Sequence, residues 1–147
     1  MSRDEIIDRI RSSLGERLLN FRRPKENRLY LEIESTVIPE SARLLYDELQ
    51  ARFQTASGVD APREMEILYH WCFDAAQLIV TICTHVDRDQ PELPSIAGIC
   101  PAAEWIEREM WELLGISFTG HPDLRHLLLQ DDWPDGKYPL RRDYTKE

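Results

Sequence analysis

Apolar positions recur along this chain in two rhythms, one of about four residues and one of two. Ile6, Ile10, Leu14 and Leu18 return every four residues, which predicts an amphipathic first helix. Ser2 followed by Glu5 has the spacing of a capping box, and Gly15 weakens the far end. Arg22, Arg23, Pro24 and Lys25 read as a basic connection, since a helix does not continue through the proline. Leu29, Leu31 and Ile33 then alternate with Tyr30, Glu32 and Glu34, the period of a strand with one wet face. A second helix is expected from Pro39, with Ala42, Leu45, Tyr46, Leu49 and Phe53 as its stripe.

Residues 54–64 are small or polar, with Gly58 and Pro62, and read as a loop. Met65, Ile67, Tyr69, Trp71 and Phe73 share one face of the next strand, and Leu78, Val80 and Ile82 share one face of its successor. Only Asp74, Ala75 and Ala76 separate the two, which predicts an antiparallel hairpin. Pro91 and Pro94 mark residues 87–96 as a connection with room for a short edge strand. Pro101 opens a third helix that Gly115 closes, with Ile106, Met110, Leu113 and Leu114 as its stripe. Glu104, Arg108 and Glu112 stand four apart on its other side and are expected to be solvated and ion-paired.

After Gly115 the periodicity ends. Phe118, Leu124, Leu127, Leu128, Leu129, Trp133, Tyr138, Leu140 and Tyr144 are too many anchors for a disordered tail. The expected fold class is therefore α+β: a small, mostly antiparallel sheet with helices on one face and a long irregular C-terminal docking segment. Residues 1–115 would form the α+β part and residues 116–147 the extended segment, within one domain.

Charge and composition exclude several functions. Over 147 residues, 27 acidic groups against 18 basic ones give a net charge of −9, the wrong sign for binding phosphate backbones. The basic excess is confined to residues 1–28, which are expected to pack against the acidic middle of the chain or an acidic neighbour. The mainly apolar stretch Leu78–Cys83 is far shorter than the ~20 residues that span a bilayer. Charges throughout Met1–Leu14 leave no signal-peptide core, so a cytoplasmic chain is expected.

Candidate chemistry is sparse. Cys72, Cys83 and Cys100 lack C-x-x-C spacing and read as free thiols in a reducing compartment. A Cys72–Cys83 disulfide would require their strands to pair in register, and nothing demands it. His70 and His85 fall on the two hairpin strands and could face each other across the sheet, with Cys72 or Cys83 as a third metal ligand. His121 and His126 are five apart around Pro122 and form no helical chelate. Glu-x-x-His pairs, a nucleophile elbow and a glycine-rich phosphate loop are all missing from the sequence. No catalytic, cofactor-binding or metal-binding residue is assigned.

One long stretch does carry an identity. It runs Glu107-Arg108-Glu109, then Gly115-Ile116-Ser117-Phe118-Thr119-Gly120-His121-Pro122-Asp123-Leu124-Arg125, then Leu127-Leu128-Leu129. It continues through Asp131-Asp132-Trp133-Pro134 and ends Tyr138-Pro139-Leu140-Arg141-Arg142-Asp143-Tyr144. This resembles the thirty-kilodalton subunit family of respiratory complex I (the C/J type among NADH dehydrogenase subunits), which includes homologues in membrane-bound [NiFe] hydrogenases and formate hydrogenlyases.

The resemblance implies a subunit without a cofactor of its own, on the cytoplasmic side of a membrane-bound oxidoreductase. It would pack against the large catalytic subunit, which holds a quinone or NiFe site, against the small iron–sulfur subunit with its [4Fe–4S] cluster, and against other hydrophilic-arm subunits. Glu112-Leu113-Leu114-Gly115 and Asp131 to Gly136 look like the hydrogenase relatives, so a ferredoxin-linked hydrogenase is the first expectation. The same role in an NADH- or ferredoxin-dependent quinone reductase is the alternative, and a small His/Cys metalloenzyme a remote one. Signature residues Glu107, Arg108, Glu109, Gly115, Phe118, Gly120, His121, Pro122, Asp123, Leu124, Arg125, Asp132, Trp133, Pro139, Leu140, Arg141, Arg142, Asp143 and Tyr144 are carried over as the partner interface. Among them Trp133, Pro139, Leu140, Arg141 and Arg142 are the expected contacts, by the weight of aromatic and Arg groups in interfaces, and the resemblance implies that Arg108 braces its helix to the following loop.

Overall fold

A computed structural model describes residues 1–146; Glu147, the last residue of the expected C-terminal segment, lies outside them. Helix α1 spans Arg3–Leu14, and the capping box forms in both directions, Ser2 Oγ accepting from the Glu5 amide and Glu5 from the Ser2 amide. Its stripe of Ile6, Ile7, Ile10 and Leu14 is buried. Arg9 pairs with Glu48 at 2.6 Å and Arg17 with Glu40, so the basic N-terminal part does pack against the acidic middle of its own chain.

The main sheet has five strands in the order β1–β2–β5–β4–β3. Here β1 is Asn20–Lys25, β2 Arg28–Glu32, β3 Arg52–Asp60, β4 Glu64–Phe73 and β5 Leu78–Asp87. Three of the four pairings are antiparallel, and β2 with β5 is parallel. The expected hairpin is β4–β5, in register Tyr69↔Ile82 and Trp71↔Val80. Leu29 and Leu31 of β2 face Val80 and Ile82 across the parallel junction, which gives the sheet one continuous apolar face.

Two strands occupy stretches expected to be irregular. Residues 22–25 belong to β1, an edge strand whose register shifts between Arg22 and Lys25, and that irregularity accommodates Pro24. Its side chains are mostly exposed, so it shows no apolar alternation; Arg11 and Arg22 stack instead on Phe21 and Tyr30, at 4.4 and 4.3 Å from the ring centres. Residues 54–60 belong to β3. Its small side chains make room for a helix: a Cβ on Gly58 would stand 2.6 Å from Leu114 Cδ1. The second helix is also shorter than expected. It comprises α2 (Ile38–Ala42) and a π-helical stretch Arg43–Glu48, while Phe53 lies in β3 and meets Trp71 edge-on at 5.1 Å.

Helix α3 (Glu104–Leu114) follows a 3-10 turn at Pro101–Ala103 and ends at Gly115, whose φ of 77° supplies the left-handed cap. Beyond it, β7 (Ser117–Thr119) pairs in parallel with β6 (Glu92–Pro94) as a separate two-stranded sheet. Residues 120–146 have turns and bends but no helix or strand. The three cysteines are free; Cys72 lies opposite Ile79 and Cys83 opposite Leu68, so these two are not register partners.

Candidate functional site

Helix α3 organises everything that follows it. The expected solvated ladder of Glu104, Arg108 and Glu112 does not form: Arg108 and Glu112 are 5 % and 2 % exposed and serve the backbone of the next segment. Arg108 donates from Nε to the Arg125 carbonyl at 3.0 Å and from Nη2 to the His126 carbonyl at 2.7 Å. One turn later, Glu112 accepts from the amides of Leu127, Leu128 and Leu129 at 3.0, 2.7 and 3.2 Å. His126 Nδ1 lies 3.2 Å from the same carboxylate, and its ring packs on Trp111.

A segment without its own ladder thus has its carbonyls held by a cation and its amides by an anion, and both charges are satisfied in turn. Burial alone would push the Glu112 carboxyl up, but the three amides and His126 outweigh it and hold the carboxyl below its ordinary value.

Glu107 faces the interior and is wholly buried. It accepts from the Ser95 hydroxyl at 2.5 Å and the Ile96 amide at 3.0 Å, and His121 Nε2 stands 3.9 Å away. Burial dominates and pushes its carboxyl up, against these hydrogen bonds. His121 Nδ1 accepts from the Asp123 amide at 3.0 Å, which leaves Nε2 to carry the proton toward the Glu104 carbonyl at 2.9 Å. His121-Pro122 therefore shapes the turn that leaves β7, with Gly120 at φ 81°.

Farther on, the chain returns to the C-terminal end of α3. Leu140 donates its amide to the Leu113 carbonyl at 3.0 Å, and Arg141 Nε donates to the Leu114 carbonyl at 2.6 Å. These satisfy carbonyls that the helix end leaves open and place a cation at the negative end of its dipole. Gly115 permits the approach, because a Cβ there would lie 2.6 Å from Tyr138 Cε2 and 2.7 Å from Arg141 Nη2. Asp60 at the end of β3 accepts the Arg142 amide at 2.8 Å and pairs with Arg88, which also reaches Asp143 at 3.8 Å.

The signature residues thus separate into two groups. Glu107, Arg108, Phe118 and the His121 side chain are internal, and Gly115 and Arg141 pack against each other. On the outside stand Pro122, Arg125, Asp132, Leu140, Arg142 and Asp143, with Glu109, Asp123, Leu124, Trp133, Pro139 and Tyr144 half-buried. Trp133 closes its own turn by donating to the Lys137 carbonyl at 2.7 Å. Trp105 on α3, Leu128 and Leu140 are 67 %, 65 % and 61 % exposed, large apolar groups left in water. Sequence reasoning missed Asp60, Arg88 and the anchoring role of Glu112. The only signal for the last was a helix apolar on one side and followed by a segment with no ladder of its own.

The paired-histidine expectation is also corrected. His70 lies opposite Thr81, with Nδ1 3.0 Å from its hydroxyl, whereas His85 lies opposite Glu66. Among the described residues, the donor set that comes together is Glu32, Cys83 and His85. No described helix is long and apolar enough to cross a membrane.

Comparisons with known proteins agree with the signature. The chain is 31 % identical over 156 aligned positions to the C-type subunit of the NADH-quinone oxidoreductase of Mycobacterium sp. (strain KMS), covering 96 % of this chain. It spans 65 % of that relative's length. The C-type subunit of the F(420)H(2) dehydrogenase of Methanosarcina mazei is 35 % identical across 78 % of this chain and 76 % of its own. Among solved structures, a chain of the membrane-bound sulfane sulfur reductase, an archaeal respiratory membrane complex, superposes with a TM-score of 0.84. Identity there is 25 %, with 97 % of this chain and 85 % of the other covered. The family described as respiratory-chain NADH dehydrogenase, 30 Kd subunit, matches residues 31–147, and the chain belongs to it.

Proposed function

We propose that this chain is a non-catalytic scaffold subunit in the hydrophilic arm of a membrane-bound, complex I-like oxidoreductase, at the cytoplasmic face of the membrane. Its partners in this reading are the large catalytic subunit, with a quinone or NiFe site, and the small subunit that carries a [4Fe–4S] cluster. The observation that supports it best is the immobilised C-terminal segment. Arg108 and Glu112 hold residues 125–129 by their backbone, the end of α3 accepts the Leu140 amide and the Arg141 guanidinium, and Asp60 accepts the Arg142 amide, while Leu128 and Leu140 point into water. A surface ordered before docking loses less conformational freedom on binding, which favours tight assembly. The names of the relatives, subunits of NADH-quinone oxidoreductase and F(420)H(2) dehydrogenase, support the same reading.

A quinone-linked complex is the better supported partner set, given the NADH-quinone oxidoreductase name. The hydrogenase reading rests on Glu112-Leu113-Leu114-Gly115 and on the run Asp131 to Gly136. Affinity purification of the tagged chain from detergent-solubilised native membranes decides between them. A co-purifying large subunit with two C-x-x-C pairs assigns a hydrogenase, and one without them, together with quinone-module subunits, assigns a complex I relative. Recovery of the chain alone overturns the scaffold role. Leu128→Ser and Trp105→Ala are the cleaner interface variants, because Arg141 also supports the fold.

A further inference from the structure

The face of the sheet that turns away from the helices carries a compact set of donor groups that the docking role does not use. Glu32 on β2 is the register partner of Cys83 on β5, and Glu66 on β4 is the partner of His85 on β5. Cys83 and His85 are two apart on one strand and so share a face. The Cys83 thiol donates to Glu66 Oε1 at 3.3 Å, and the His85 ring lies between the two carboxylates, 3.6 Å from Glu32 Oε1 and 3.8 Å from Glu66 Oε2. One donor atom each from Glu32, Cys83 and His85 falls within 4.8 Å of the others. Tetrahedral zinc bonds of 2.0–2.3 Å put ligands roughly 3.4 Å apart, so small side-chain rotations close the set. Glu32 and His85 also line a surface cavity of about 640 Å³, which gives an ion access from solvent.

We propose that Glu32, Cys83 and His85 form a three-ligand site for a divalent transition metal of the zinc type, with water in the fourth position and Glu66 beside it. Thiolate, imidazole and carboxylate together suit a borderline ion such as Zn²⁺ or Co²⁺, in contrast to the all-oxygen shells of Mg²⁺ and Ca²⁺. Both carboxylates share a single imidazole as their ion-pair partner among the described residues, so the cluster attracts a cation. On binding, the Cys83 S–H bond breaks, a sulfur–metal bond forms and the proton leaves to buffer; no oxidant or reductant takes part.

The site joins strands that are distant in the chain. It bridges β2 to β5, the parallel junction between the β1–β2 ribbon and the β3–β4–β5 meander, and a tie there opposes separation of the two halves. It adds a bound ion to a chain expected to carry no cofactor of its own, and it does not depend on which complex the chain enters.

The test is titration of the full-length, metal-stripped chain with Co²⁺, followed by displacement with Zn²⁺. The expected result is one equivalent of Co²⁺ with a thiolate-to-cobalt charge-transfer band and intense tetrahedral visible bands. Tm should rise by about 5 °C at saturation. Cys83→Ser should abolish the charge-transfer band, and His85→Ala should weaken binding at least tenfold, while Cys72→Ser and His70→Ala bind as the parent does. His85 is partly exposed, so its variant remains informative if the Cys83 variant fails to fold. Absence of a stoichiometric cobalt spectrum, or a charge-transfer band that survives in His85→Ala at parental affinity, overturns the proposal.

Discussion

The β4–β5 hairpin and residues 120–146 are opposite solutions to the same problem. In the hairpin, backbone groups pair with each other over ten register positions from Glu64↔Asp87 to Phe73↔Leu78, and alternation leaves one face for the core. The C-terminal segment has no such ladder. Arg108, Glu112 and the open carbonyls at the end of α3 anchor it to the rest of the fold instead, beside local turns such as Trp133 to Lys137. Order in the hairpin is distributed over many bonds, whereas order in the segment is concentrated in a few side chains. Single substitutions should therefore release the segment without touching the hairpin.

Glu112→Ala should give the largest effect. It leaves the amides of Leu127, Leu128 and Leu129 without their acceptor, a loss of about 3 kcal/mol in the local stability of residues 125–129. Hydrogen exchange read segment by segment should show fast exchange at Leu127–Leu129 and unchanged protection in β4 and β5. Equal loss in both regions would show that the two are one cooperative unit.

Gly115→Ala comes next, at about 2 kcal/mol, since it meets both a left-handed backbone and the Tyr138 and Arg141 side chains. Limited proteolysis should cut it within residues 130–146 well before the parent. Gly58→Ala is expected to cost about 1–2 kcal/mol by a different route, overpacking against Leu114 and Ile116. Its denaturant midpoint should fall while the segment stays as protected as the remaining stability allows.

Acidity separates the two buried carboxyls on α3. Glu112 is held below its ordinary value of 4.5, so its contribution is present above that value and disappears as pH falls through the lowered one. Glu107 is raised above 4.5, so its proton-bound form favours the fold below that value, and the benefit is lost as pH rises through the raised one. Glu107→Gln should therefore flatten the pH dependence of Tm above 4.5, while Glu112→Gln should remove the release of the segment in acid. The smallest change in stability belongs to Leu128→Ser, within about 0.5 kcal/mol, because the side chain is exposed. If it assembles with its partners as the parent does, that part of the proposed docking surface is misplaced.

Periodicity was enough for α1 with its capping box, the β4–β5 hairpin, α3 with its glycine stop, and the α+β class, but it carried the second helix too far, into Phe53 of β3. The ordered signature from Glu107 to Tyr144 likewise placed the chain in its family. Strands β1 and β3 were not legible. One is an exposed edge whose Arg22 stacks on Tyr30, and the other is rich in small residues where a helix lies against Gly58. Neither condition leaves a period of two.

Glu112 shows the same limit at the site, whereas the bracing of α3 to the following loop by Arg108 was already implied by the family resemblance. Spacing of three or four says which residues share a helix face, and charged ones on such a face are most often solvated. Whether another part of the chain covers that face depends on contacts made 15 to 18 residues later in sequence. The sequence by itself determined the elements and the family, because periodicity and motif order are local properties. The tertiary structure alone decided which charges are buried and which donors meet on the open sheet. Burial and metal-ligand geometry are relations between distant segments, and no local pattern encodes them.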